Sequence, residues 1–129
     1  MKNRTGYLLL VAGLVVIFGC TSKVDRSMVV GKYYANYKNA VEILELKPDG
    51  SYEYYFKSPA NFEIRHSNRW EFGYEDGIPI ITFDQFVFGF PAYGAQIPGF
   101  WRVEVERSFW ARNLRLGIEP DVGYYFEKK

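Results

Sequence analysis

The chain has 129 residues, enough for one domain, and a formal net charge of +1. Apolar residues make up 48% of it and aromatic residues 19%, a composition that excludes an intrinsically disordered chain. The balanced charge offers no basic surface for nucleic acid, and the single cysteine excludes an internal disulfide.

The first 20 residues have the pattern of an export signal. Two basic residues precede an apolar run over residues 7–18, and Cys20 follows directly after Gly19. A positive start with a short apolar core is typical of secretory signals, and the run is shorter than the ~20 residues that span a bilayer. We predict a signal helix over residues 1–19, removed on export, and a polar tether over residues 20–29.

The sequence Ile17-Phe18-Gly19-Cys20 resembles the lipobox of bacterial lipoproteins. The resemblance implies that the Cys20 sulfur takes a diacylglyceryl group, that a peptidase cuts before it, and that the new amine is acylated. Two or three chains anchor a protein stably, because each buried methylene contributes ~0.8 kcal/mol. Thr21 resembles an outer-membrane address, which implies a periplasm-facing envelope protein. The alternative is a Cys20 that merely ends an uncleaved signal anchor.

From residue 30 onward, apolar and polar side chains alternate with period two, the rhythm of half-buried strands. Trp101, Val103 and Val105, for example, share one face, and charged residues alternate with them. We therefore predict one domain over residues 30–129. Strands are expected near residues 30–36, 41–47, 51–57, 61–66, 69–74, 78–83, 101–107, 112–118 and 123–128.

Turn residues separate several of these strands. Lys47-Pro48-Asp49-Gly50 and Asp76-Gly77 suit tight hairpins, and short loops imply antiparallel neighbours. Eight or nine short strands with one apolar face must curl or close to hide that face and their edges. The predicted fold class is all-β, a small antiparallel meander or barrel.

A second resemblance covers residues 30–80. Gly31-Lys32-Tyr33, then Leu44-x-Leu46-x-x-Asp49-Gly50-x-Tyr52, and then a strand with Trp70 are similar to small lipocalin-like bacterial lipoproteins. Many such proteins have no assigned activity, so the resemblance implies a fold rather than a function.

The segment 84–100 is unusually rich in aromatic residues, interleaved with glycine and proline. Two interpretations remain open: a surface that binds a partner protein or the bilayer headgroups, or a plug that folds over the barrel end. The candidate surface residues are Phe86, Phe88, Phe90, Tyr93 and Phe100, with Trp110 at the tip of the last hairpin.

Catalytic and metal-binding patterns are weak. His66 is the only histidine, too few for a metal site of ordinary ligand number. Glu104 and Glu106 share a face, but alternating acids on a strand usually face solvent. No phosphate loop or nucleophile motif is present. The arginines of the last hairpin are interpreted as paired with acids across the strands; they are Arg102, Arg107, Arg112 and Arg115.

These observations predict a non-enzymatic, lipid-anchored envelope protein with no cofactor. Three roles remain open: a protein-interaction or structural module, a carrier or sensor of a small hydrophobic ligand, and an inhibitor or immunity-like protein against a periplasmic enzyme. The size of the barrel cavity separates the first two, since ligand sites usually measure ~300–1,000 Å³.

Overall fold

The computed structural model describes residues 23–90, 98–108 and 113–129, which form a closed antiparallel barrel. The strands are β1 Gly31–Ala35, β2 Val41–Leu46, β3 Ser51–Lys57, β4 Glu63–Glu75, β5 Ile78–Phe86, β6 Gly99–Arg107, β7 Leu114–Glu119 and β8 Tyr124–Lys128. Each pairs with the next along the chain, and β8 pairs with β1 to close the barrel. The predicted all-β class and its antiparallel barrel are confirmed.

One predicted pair of strands is a single strand. We predicted separate strands near residues 61–66 and 69–74, whereas β4 runs through both. Its first half pairs with β3 and its second half with β5, and Ser67 and Asn68 stay paired with β3. These polar residues interrupt the hydrophobic rhythm but not the strand, because the ladder is built from backbone groups that every such residue carries.

Aromatic side chains fill the barrel interior. Tyr33, Tyr52, Phe83 and Phe126 have no accessible surface, so no void of the size of a water molecule touches them. The buried tyrosine hydroxyls have hydrogen-bond partners: the Tyr33 hydroxyl, for example, donates to the carbonyl of Val29 at 2.7 Å. Burial also raises the pKa of the Tyr33 hydroxyl, which therefore stays protonated. The interior is a packed core.

The segment before β1 packs on the barrel instead of hanging free. We expected a tether over residues 20–29, but its described part contains a short helix, α1 (Arg26–Val29). Val24 and Val29 are both buried, and the hydroxyl of Tyr74 donates to the carbonyl of Val24. The few apolar residues of this stretch form no periodic pattern, so this packing could not be predicted from the sequence.

The antiparallel order gives the barrel two distinct ends. The loop end carries the β1–β2, β3–β4, β5–β6 and β7–β8 connections, and the N-terminal end carries the other turns together with α1. At nine residues, β6 runs between the two ends. A strand of that length, tilted as barrel strands are, separates them by roughly 20 Å.

Candidate interaction surface at the loop end

Residues 84–90, here called the plug segment, fold over the loop end of the barrel. Phe86 is only 2% exposed and lies 4.8 Å from Trp101 between ring centroids. Phe88 is 5.0 Å from the same Trp101 ring, and Phe90 is 5.0 Å from Phe56. Phe86 is therefore buried, and Phe88 and Phe90 are half-buried against the core, which favours the plug interpretation over an exposed surface.

A β-bulge turns these side chains inward. The register between β5 and β6 shifts between Phe83 and Phe86, and Gln85 has a positive φ of 50°. The extra residues let Phe83 and Phe86 both point into the barrel although they have opposite parity. The sequence shows only that Phe86, Phe88 and Phe90 share a parity, and parity cannot reveal a bulge.

Hydrogen bonds from the barrel wall hold the backbone of the plug segment. The Tyr52 hydroxyl donates to the carbonyl of Asp84 at 2.7 Å. The His66 Nε2 lies 3.0 Å from the Val87 carbonyl oxygen and 3.2 Å from the Val87 nitrogen, so it bonds to one or the other according to its protonation. Burial lowers the pKa of His66, and the bond to Val87 opposes that effect. The histidine therefore holds the plug segment against the barrel wall.

A buried carboxylate lies beneath the plug segment. Glu42 is 1% exposed, and the hydroxyls of Tyr54, at 2.6 Å, and Tyr124 both donate to it. The Tyr54 hydroxyl in turn accepts from the Gly89 amide at 3.0 Å. Burial raises the pKa of Glu42, and the two tyrosine hydrogen bonds oppose the rise. This network links β2, β3 and β8 to the plug segment.

Sequence reasoning missed Glu42. A signal was present: Glu42 has the parity of Leu44 and Leu46, which point into the core. An acid on the apolar face of a strand predicts a buried carboxylate with hydrogen-bonding partners.

Gly89 allows the plug segment to lie against the core. A Cβ added at Gly89 would fall 2.0 Å from the Phe56 ring, far inside van der Waals contact. No other residue type has room there without displacing Phe56 or the segment.

Four exposed apolar side chains lie at the loop end, each from a different part of it. They form what we call the apolar rim: Val41, Phe62, Phe100 and Val122. Phe100 is the most exposed at 78%, and it is the one predicted surface residue that the structure places in solvent. Tyr93 and Trp110, the other two, lie outside the described residues.

The cavities that we find among the described residues are open grooves outside the core. A groove of about 680 Å³ runs along the outer face of β1–β4, with Lys32, Glu53 and Arg65 among its lining residues. It is open and lined by charged as well as apolar side chains, unlike the enclosed and mostly apolar sites that bind small hydrophobic molecules. Together with the filled interior, this weakens the hypothesis of a ligand carrier.

In the described ranges, no three His, Cys, Asp or Glu side chains come together as metal ligands would. The helices in that part of the chain are too short to cross a bilayer. Comparisons with protein-family models, with curated proteins and with solved structures found no significant match to this chain.

Proposed function

We propose that this chain is a non-enzymatic, lipid-anchored protein of the bacterial envelope, which binds a partner protein through the apolar rim at the loop end of its barrel. The observation that carries the proposal is the placement of the rim and of the N-terminal segment at opposite ends of the barrel. The acyl chains on Cys20 would hold one end at the bilayer and turn the other end away from it.

The short distance along the chain between Cys20 and the packed segment supports this orientation. Val24 is already buried against the barrel, and only three residues lie between it and the acylated cysteine. The four residue-to-residue steps from Cys20 to Val24 span at most ~14 Å, which is less than the roughly 20 Å between the barrel ends. The rim is therefore better placed for a protein on the periplasmic side than for the headgroups of the anchoring membrane.

The exposed rim supports protein binding rather than ligand transport. Scattered single apolar residues are normal on a surface, but Phe100 and Val122 stand at the same barrel end as Val41 and Phe62. Buried aromatic anchors commonly dominate the affinity of protein interfaces. One class of partner that such a surface fits is an envelope enzyme that this chain would inhibit.

Photocrosslinking in intact cells tests the proposal. A photoreactive residue replaces Phe100 or, as a matched control at the N-terminal end, Ile78, which is also exposed. We expect a discrete protein adduct at position 100 that is absent at position 78. Adducts with lipid alone at position 100, or the same proteins at both positions, would contradict partner binding at the rim.

Labelling with radioactive palmitate tests the anchor separately. We expect the wild-type chain to incorporate label and to fractionate with membranes. The Cys20→Ser chain is expected to incorporate no label and to yield no mature-size product in the membrane fraction. A Cys20→Ser chain of mature size that fractionates like the wild type would refute the anchor.

A further inference from the structure

The barrel wall is incomplete where the last strand meets the first. Within the described residues, β1 and β8 pair at Tyr33 with Lys128 and at Tyr34 with Glu127, and at no other position. By contrast, β1 pairs with β2 along all five of its residues. Toward the loop end, Ala35 has a partner on β2 but none on β8. The two strands therefore separate there and leave an opening in the wall.

A groove of about 580 Å³ lies at this opening, and we call it the seam groove. Its volume is within the ~300–1,000 Å³ of sites that hold small molecules. The small residues Ala35, Ala40 and Gly123 line it, and they leave room between the separating strands. The buried Glu42 also lines it, so the groove extends from the surface inward to the polar network beneath the plug segment.

Two amide side chains line the seam groove at the loop end, those of Asn36 and Asn39. Both residues are exposed, and neither amide has a hydrogen-bond partner in the described part of the chain. Asn39, with a φ of 60°, belongs to a tight turn in which the Ala40 nitrogen donates to the Tyr37 carbonyl at 3.0 Å. Tyr37 stacks on Tyr124 at 4.3 Å between ring centroids, which fixes the turn to the barrel. The turn thus holds donors and acceptors ready for a ligand.

Two half-buried tyrosines on the outer face of the sheet complete the lining. The Lys129 Nζ lies 5.1 Å from the centre of the Tyr34 ring, and the Arg115 guanidinium lies 4.3 Å from the centre of the Tyr125 ring. These cations hold the rings in place. Among the described residues, neither tyrosine hydroxyl has a hydrogen-bond partner. Each side chain therefore offers an apolar ring and a free polar group.

The larger groove on the outer face of β1–β4 differs because its charged groups already have partners. The Lys32 Nζ lies 4.0 Å from the Glu45 carboxylate, and the Arg65 guanidinium lies 4.3 Å from the centre of the Tyr55 ring. A ligand would have to replace those contacts. At the amides of the seam groove it would displace water alone.

We propose that the seam groove binds a neutral saccharide, with Asn36 and Asn39 hydrogen-bonded to its hydroxyl groups and with the rings of Tyr34 and Tyr125 against the C–H groups of its pyranose rings. A sugar hydroxyl both donates and accepts, and an amide side chain does the same. The aliphatic face of a sugar ring can pack against an aromatic ring, while its hydroxyl groups reach the polar groups around that ring.

The charges of the lining favour a neutral ligand. Its exposed charged residues are Glu127 and Lys129, which balance each other, so the groove attracts neither an acid nor an amine. Val41 belongs both to this lining and to the apolar rim, which places a bound sugar beside the rim. The saccharide site is an addition to the proposed function and does not rest on the anchor or on the protein partner.

A matched pair of asparagines distinguishes a binding site from an ordinary hydrated surface. Asn39→Gly removes the amide and keeps the positive φ that the turn requires. Asn61→Gly is the control, because Asn61 is also exposed at the loop end with a φ of 62° but does not line the groove. Tyr125→Phe removes a hydroxyl and keeps the ring, whereas Tyr125→Leu removes both.

In the first arm of the experiment, N,N′-diacetylchitobiose and cellobiose are each titrated into the full chain, purified in non-ionic detergent. The side-chain amide signals of Asn36 are followed by NMR. We expect saturable shifts with at least one of the two sugars. Its affinity should be about threefold to tenfold weaker in Asn39→Gly, which loses a neutral hydrogen bond, and unchanged in Asn61→Gly. Tyr125→Leu should weaken binding more than Tyr125→Phe does.

Three outcomes of this titration would count against the proposal. If neither sugar gave saturable shifts, the assignment to a saccharide would be overturned. Equal affinities in Asn39→Gly and Asn61→Gly would overturn the site. Equal effects of Tyr125→Phe and Tyr125→Leu would contradict packing of the sugar on the ring.

The second arm identifies the source of the sugar by co-sedimentation of the same chains with insoluble chitin and cellulose. Sedimentation of the wild type that is reduced in Asn39→Gly but not in Asn61→Gly would support the site and assign it to a polymeric glycan. Binding of a disaccharide without sedimentation would support the site and assign it to free sugars. Equal sedimentation of the two asparagine variants would mean that the polymer binds elsewhere, which would overturn the assignment of a glycan to this groove.

Discussion

At the loop end the barrel is closed by aromatic side chains, whereas at the N-terminal end it is closed by a short helix and by cations. Phe86 and Phe90 fill the first opening, and the exposed rim around them is apolar. At the second opening Val29 enters the core, and the Arg26 guanidinium donates to the carbonyl of Pro48 at 3.0 Å and lies 4.6 Å from the Trp70 ring centre. The first closure is made by packed aromatic rings, whereas the second combines a buried valine with cationic side chains that bond to backbone carbonyls.

This difference fits the proposed orientation, in which the N-terminal end of the barrel faces the membrane. Both openings need a cover, because an open barrel would expose its aromatic core to water. Covering alone does not explain Phe100 in solvent, whereas the position of Lys128 is explained by its hydrogen bond to the Met28 carbonyl. The distinction between the covering residues and the residues left exposed can be tested by substitution.

The largest effect is expected from a matched pair of phenylalanines at the loop end. Phe86→Ala should lower the free energy of unfolding by about 3–5 kcal/mol, because it removes a buried ring and leaves a cavity. Phe100→Ala should change it by less than ~0.5 kcal/mol, because that ring is 78% exposed. Urea unfolding followed by tryptophan fluorescence measures both. Similar losses in the two variants would refute the distinction between plug and rim.

A smaller loss is expected from Gly89→Ala. The added methyl group would collide with the Phe56 ring, and overpacking of this kind costs about 1–3 kcal/mol. Gly99→Ala is the matched control, since a Cβ there has no atom within 4 Å. Adding Phe56→Leu to Gly89→Ala should restore part of the loss. A Gly89→Ala chain as stable as Gly99→Ala would show that the plug segment does not lie on Phe56.

The sequence predicted the barrel well because one physical rule governs most of it. Alternation locates the strands, and the hairpin at Asp76-Gly77 follows from turn chemistry. The errors occur where another rule applies. A backbone ladder carries β4 through polar Ser67 and Asn68, and a bulge at Gln85 reverses the parity.

The candidate surface was harder to predict because it depends on closure of the sheet. Val41 and Val122 lie far apart in the chain, and only the barrel brings their strands to one end. Phe100 is apolar yet exposed, and hydropathy cannot distinguish it from the buried Phe86.

The smallest effect is a pH dependence that comes from the buried Glu42. Burial raises its pKa above the ordinary value of 4.5, so the folded state holds this proton to higher pH than the unfolded chain does. The stability that Glu42 contributes is therefore fully present below pH 4.5 and is lost as the pH rises through its folded-state pKa. One proton gives a slope of at most ~1.4 kcal/mol per pH unit.

Glu42→Gln should remove this slope, because the amide does not titrate while it still bonds to the hydroxyls of Tyr54 and Tyr124. Urea unfolding of the two chains at a series of pH values measures it. The wild type is expected to lose stability relative to Glu42→Gln as the pH rises above 4.5. Glu45→Gln is the control, because Glu45 lies on β2 between the inward-facing Leu44 and Leu46 and so has the opposite parity to Glu42. Its curve of stability against pH should run parallel to that of the wild type. If the curves of stability against pH for Glu42→Gln and the wild type were parallel, the Glu42 carboxyl would be solvated. The loop end would then not be closed over a buried polar network.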